Sequence, residues 1–151
     1  MSSCQKELSN EEKEPSKGSW EFSALNNTYS GILDTAYINV NKMKILGRSG
    51  DLNHTFSITL TSPTGEFKPG MSYTASAQEA EMTYSQNSKD IFISNKLSGE
   101  FIVSISMIDE KFVSGIFSGN ATDSTGVKQQ ISQGKFSCNY TSDLLLVMRN
   151  K

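Results

Sequence analysis

His54 is the one histidine in the 151 residues, so any imidazole chemistry rests on it. It stands in Asp51-Leu52-Asn53-His54-Thr55, just ahead of an alternating segment. A lone histidine does not make a His-rich metal cluster. As a general base it would need a nucleophile and an orienting carboxylate within hydrogen-bond reach. Serine and aspartate are plentiful, yet no nucleophile-elbow motif selects one, and His54 is expected to be a turn or strand-edge residue. Paired carboxylates offer a second route to hydrolysis. Glu79 and Glu81 share one face of a strand at i,i+2 spacing, whereas Asp109 and Glu110 diverge in an extended chain. A glycosidase needs two carboxylates across a cleft, and neither spacing supplies one. Asp34, Asp51, Asp109 and Asp123 fall in or near loops without the ligand series of a calcium-binding hand. The expectation is a chain that is not an enzyme and takes no metal and no cofactor.

Aromatic side chains give a lead toward binding. Trp20, Phe22, Tyr29 and Tyr37 lie close together in sequence. Trp20 is expected to close one end of the hydrophobic core. If exposed beside Tyr29 or Tyr37, it would instead form a platform for a sugar ring or a protein partner. The turn Asp109-Glu110-Lys111 is the second candidate binding segment.

The elements that carry these residues read as strands. Ala36, Ile38 and Val40 alternate with polar or aromatic neighbours, and Phe56, Ile58 and Leu60 alternate with Ser57, Thr59 and Thr61. Met82 and Tyr84 repeat the pattern, as do Phe101, Val103, Ile105 and Met107. Turn residues interrupt it at Pro63-Thr64-Gly65, Lys68-Pro69-Gly70, Asp109-Glu110-Lys111 and Asp123-Ser124-Thr125-Gly126. No long window carries a helical stripe, and at most one turn is expected, over Gln78 to Met82. About nine or ten strands result, packed as an antiparallel β-sandwich or a flattened β-barrel. Phe56, Ile58, Leu60, Phe101, Val103, Ile105, Phe117 and Phe136 are the expected core. Gly31, Gly99, Gly115 and Gly119 stand at or within strands, where glycine marks a bulge or close backbone approach.

Composition sets bounds on partners. A formal net charge of -2 supplies no basic stripe, so nucleic acid is not an expected partner. No apolar run approaches the roughly 18 residues of a spanning helix; the longest, Leu144-Leu145-Leu146-Val147-Met148, reads as a terminal core strand.

Ser2-Ser3-Cys4 precedes a polar run to Ser19 that is too poor in apolar residues to fold. This resembles the end of a bacterial lipoprotein signal sequence, with Met1 in place of the removed apolar part. The resemblance implies a signal peptide upstream in the precursor, a lipid on Cys4, and residues 1–19 as an unstructured tether to one β domain, residues 20–151. Acylation by more than one chain would hold the protein firmly on a membrane. Lys6, Glu7, Glu11, Glu12 and Glu14 resemble the export tether of Bacteroidetes surface lipoproteins. With Cys4 lipidated, Cys138 is left as a small buried hydrophobe; a disulfide between the two is the alternative.

Three further segments sharpen the resemblance: Trp20-Glu21-Phe22-Ser23-Ala24, Val113-Ser114-Gly115-Ile116-Phe117-Ser118-Gly119, and Ile131-Ser132-Gln133-Gly134-Lys135-Phe136-Ser137. Their order is similar to a family of small uncharacterised Bacteroidetes lipoproteins, over residues 20–140. The likeness implies a β-rich domain displayed from the cell envelope, on the outer membrane, and carries no catalytic residues. Asp34-Thr35-Ala36 and Asp123-Ser124-Thr125 resemble the O-glycan attachment sites of exported Bacteroidetes proteins, with Thr35 and Ser124 as acceptors. The expected function is a non-enzymatic binding module for a protein or a glycan. The alternative is an immunity protein that neutralises an interbacterial toxin through Asp51, Glu79, Glu81, Asp109 and Glu110.

Overall fold

A computed structural model describes residues 18–49 and 53–139. The tether as far as residue 17, Cys4, Asp51 and the run Leu144 to Met148 lie outside the described residues. Ten strands follow in order: β1 (Gly18–Ala24), β2 (Asn27–Asn39), β3 (Lys42–Arg48), β4 (His54–Thr61), β5 (Ser72–Thr74), β6 (Ala80–Gln86), β7 (Lys89–Ser94), β8 (Phe101–Ile108), β9 (Phe112–Asp123) and β10 (Lys128–Asn139). The first strand opens at Gly18, two residues ahead of Trp20.

All pairings are antiparallel, and the sheet closes on itself. The ring runs β10, β1, β2, β3, β4, β6, β7, β9 and back to β10, giving an eight-stranded barrel. Of the two expected architectures the chain adopts the barrel. β9 makes this possible by sharing one edge between two partners. Its Val113–Gly119 stretch pairs with β8, and Thr122 and Asp123 pair with β7. β8 and then β5 therefore extend as a flap beyond the ring.

The registers sort the turns between two ends. Gly18, Phe112, Asn139 and the Val40-Asn41 turn lie at one end, and Leu25-Asn26, His54, Asn87-Ser88 and the turn after Asp123 lie at the other. Leu25-Asn26 and Asn87-Ser88 have φ between 52° and 68°, the left-handed values of a two-residue hairpin whose twist matches its strands. The single turn expected at Gln78 to Met82 sits slightly earlier, where the Gln78 amide donates to Ala75 O at 2.9 Å.

Eight-stranded barrels have an interior that side chains can fill, and aromatic rings fill this one. Trp20 lies flat on Phe56, with centroids 4.4 Å apart and planes 3° from parallel. Phe22 meets Tyr84, Phe92 and Phe117 edge-on or tilted, at 5.5–6.2 Å. Every expected core residue is buried, from Phe56 through Phe136. Glycines make the space. Gly31 stands opposite Trp20 in the β1–β2 register, and a β-carbon there would sit 2.7 Å from the indole nitrogen. One at Gly47 would sit 2.9 Å from the indole ring, and one at Gly115 would sit 2.7 Å from Phe136. Gly31 and Gly115 are thus the close approaches their strand positions suggested. Cys138 is also buried in this core.

Met107 departs from the expected alternation. A bulge between Ile105 and Met107 adds one residue to β8, so the side-chain phase flips. Met107 is 54% exposed, while Ile108 packs against the core.

Removing the indole should therefore cost more than an average core truncation. Trp20→Ala is expected to lose about 3–5 kcal/mol. Gly31→Val should destabilise too, because its side chain would collide with both the Arg48 backbone carbonyl and the indole. Denaturant unfolding of both variants checks this, and an unchanged midpoint for Gly31→Val would contradict the packing.

Candidate functional site

The structure separates the residues singled out for chemistry. His54 opens β4, and its Nδ1 lies 2.9 Å from the Tyr84 hydroxyl, which Gln86 Nε2 also reaches at 3.0 Å. Tyr84 is fully buried, so the histidine satisfies a core phenol at the barrel end. His54 is a strand-edge residue with a structural hydrogen bond.

Glu79 and Glu81 flank Ala80 beside Lys42, Thr59 and Thr61 in a shallow polar depression of about 190 Å³. Glu79 is occupied with β5. Its amide donates to Thr74 O at 2.9 Å, and its Oε1 accepts from the Thr74 amide at 3.4 Å. It thereby satisfies backbone groups of the flap strand. Burial pushes the Tyr73 phenol above its ordinary pKa, and the Glu79 charge adds to this.

Trp20 lies in the core as expected, and the alternative, an exposed aromatic platform, does not form. Trp20 is 1% exposed, and its Nε1–H donates to Arg48 O at 3.3 Å. Tyr29 points inward and stacks on Phe22 at 5.2 Å, closing the barrel end that also holds His54. Tyr37 follows the buried Ala36 and pairs with Lys44 on the outer surface. The space left by Gly31 and Gly47 takes the indole into the core, so of the two readings of Trp20 the structure shows the core plug. Asp109, Glu110 and Lys111 form an exposed turn at the barrel end where Gly18 lies, held by Lys111 N donating to Asp109 Oδ1 at 2.8 Å.

Thr35 sits in β2 at a bulge, beside Asp34, whose carboxylate takes Arg48 Nε at 2.9 Å. Ser124 caps an exposed turn organised by Asp123. That carboxylate accepts from Thr125 Oγ1 at 2.6 Å, Thr125 N at 2.9 Å, Val127 N at 3.0 Å and Gln129 Nε2 at 2.9 Å. Among the described residues no group of His, Cys, Asp and Glu could hold a metal ion.

Sequence reasoning passed over a different surface. On the outer face, Ile102 pairs with Ser118 and Ser104 pairs with Ile116. Ile102 and Ile116 are 40% and 56% exposed, on a face that also carries Ser104, Ser118 and, beside Ile116, Lys135. Two depressions of about 250 and 260 Å³ adjoin here and share Ile102 and Ser118. Gly119 and Gly134 deepen them, and a bulge between Ile131 and Gly134, with Gln133 at φ +54°, lifts one rim. Glu100 at the far end is the one titratable lining residue, and its carboxylate accepts from Ser76 Oγ at 3.2 Å. The groove offers shape, apolar contact and neutral hydrogen-bonding groups. The available signal was Phe101-Ile102-Val103, where an apolar residue occupies an outward position.

Comparisons with protein-family models, curated proteins and solved structures gave no significant match. The groove therefore stands on its own chemistry.

The Asp123 turn yields a titration test. The Thr125 hydroxyl, then the Gln129 amide, hold the Asp123 carboxyl well below the ordinary carboxylate range. Its stabilising contribution is fully present above an unfolded pKa of about 3.9 and fades as pH falls toward the folded value. Carboxyl-detected NMR should show Asp123 still ionised at pH 3. A midpoint near that of an ordinary aspartate would mean that the turn is not held this way.

Proposed function

We propose that this chain is a non-enzymatic binding module of the bacterial cell envelope, anchored through a lipid on Cys4, and that its partner is a protein. The observation that carries the reading is the outer groove centred on Ile102 and Ile116. Exposed β-branched residues on hydrogen-bonded strands give a preorganised face that loses little entropy on docking. A protein partner is favoured over a glycan because the indole that would stack on a sugar lies inside the barrel. The polar rim and apolar centre follow the anatomy of protein interfaces. A specific partner would cover about 800 Å² on each side, which takes in both depressions and the Ser/Thr rows beside them.

The envelope location draws on Ser2-Ser3-Cys4 and the charged residues after it, together with the resemblance to small Bacteroidetes lipoproteins. The immunity reading assigned the contact to acidic residues. Glu79 is engaged with β5, and Asp109 and Glu110 lie in the β8–β9 turn at the Gly18 end, so the apolar groove is the better-supported contact.

Affinity capture from envelope extract and from competitor-cell lysate tests the surface. The double variant Ile102→Glu with Ile116→Glu should lose a partner that the parent retains, with no change in melting temperature. Equal recovery by both would reject the groove. For the anchor, Cys4→Ala in the precursor should move the protein from the membrane fraction to the soluble fraction. Continued firm membrane attachment would reject lipidation at that residue.

A further inference from the structure

The outer groove carries a pattern that a copy of itself would match. On this face β8, β9 and β10 run side by side, with Ser104, Ile116 and Lys135 aligned in one row. The next row holds Ile102 and Ser118. Glu100 follows beside Asn120, whose amide donates to Glu100 O at 2.7 Å. The step from Ile102 to Ile116 is therefore one strand across and two residues along. The step from Glu100 to Lys135 is two strands across and four residues along, the same direction at twice the length.

We propose that this face pairs with the same face of a second copy of the chain, about a two-fold axis lying in the contact plane. This names the protein partner assigned above and rests on that reading. Strands lie about 4.8 Å apart and rise about 3.3 Å per residue. On that grid one axis, perpendicular to both steps, passes within about 2 Å of both midpoints and of Ser104 and Ser118. Half a turn about it lays Ile102 of each copy on Ile116 of the other. The same half-turn sets Glu100 of each copy opposite Lys135 of the other. Ser104 and Ser118 come near their own counterparts, and a hydroxyl both donates and accepts, so like can meet like. The two sheets cross at roughly 70°, nearer the orthogonal than the aligned class of sheet packing. Such self-matching is what an isologous interface requires.

Charge makes the pairing selective. Each copy brings one carboxylate and one amine, so both meet an opposite charge. Neither is used up within its own chain. Lys135 Nζ lies 3.8 Å from Glu21 Oε2, and Glu100 Oε2 accepts from Ser76 Oγ at 3.2 Å. An ammonium has three donors and a carboxylate two acceptor oxygens, so each can take a second contact. Val40 and Leu97 are more exposed, at 82% and 83%, but each stands in a turn, where no ladder fixes a second apolar side chain beside it.

Sedimentation of the full chain tests this, with the protein kept reduced so that no disulfide contributes. Low ionic strength is used because exposed ion pairs are screened by salt. Between about 1 μM and about 1 mM, the parent should pass from monomer to dimer and no further, because a two-fold contact closes. Ile102→Glu combined with Ile116→Glu should stay monomeric throughout. Glu100→Lys alone and Lys135→Glu alone should each weaken the dimer about ten-fold or more, since two attractions become repulsions. Mixing these two variants in equal amounts should restore it, as should both substitutions in one chain, because every contact again joins opposite charges.

A parent that remains monomeric overturns the proposal, and so does a dimer that survives the double isoleucine variant. Charge reversals that weaken the dimer without recovery on mixing overturn the two-fold arrangement. A monomer that still captures a different protein through Ile102 and Ile116 ends the self-pairing while leaving the groove as a protein-binding surface.

Discussion

The packing of Trp20 onto Phe56 across two glycines governs the rest of the molecule. A large ring on β1 reaches a ring on β4 only because Gly31 and Gly47, on the two strands between, carry no side chain. The same row continues through hydrogen-bonded strands from Leu33 and Gly47 to Phe56, Tyr84 and Phe92. Burying these aromatics is the largest favourable contribution available to a chain with 36% hydrophobic residues. Phe117 and Phe136 repeat the arrangement against Gly134 and Gly115. Glycine without a facing side chain would weaken a strand; here each of these four is covered by an aromatic ring, and the sheet bends tightly enough to close.

Closure then creates a branch on β9. At Gly119 and Asn120 the strand passes from β8 to β7, and the connection between those two strands runs beside it along the shared edge. Buried Ser94 donates to Asn120 O at 2.8 Å, and Asn120 N donates to Glu100 O at 2.7 Å. Ser98, also buried, holds the loop through Asn95 O at 2.9 Å. These bonds satisfy backbone groups that a change of partner would otherwise leave unpaired in the interior. The groove lies next to this branch because β8, freed from the ring, lies flat beside β9 and exposes its outer row. Glu79 closes off part of the flap by bonding Thr74, which limits strand addition at that edge.

Much of the fold was legible in the sequence because period-two alternation is a direct consequence of the pleat. Phe56, Ile58 and Leu60 alternate cleanly and are all buried. Met107 was misplaced because a bulge shifts phase without a local residue signature. Closure into a barrel was not legible, since it depends on β1 meeting β10, a contact between distant segments. For the same reason Trp20 was left open between plug and platform: its fate is set by Gly31 and Gly47, on other strands. Ile102 and Ile116 were read as strand residues, and only the register showed that both face outward on adjacent strands.

β1 begins at the barrel end toward which the tether leads, and it is hydrogen-bonded on both sides, to β2 and to β10. This has a mechanical consequence. A load applied between the outer face and Gly18 would pull β1 along its own axis. Its flanking bonds would then share the force in shear rather than open one at a time from an end. Forced unfolding is governed by the barrier to opening rather than by equilibrium stability. A domain held in this way resists tension along β1 while the barrel stays intact.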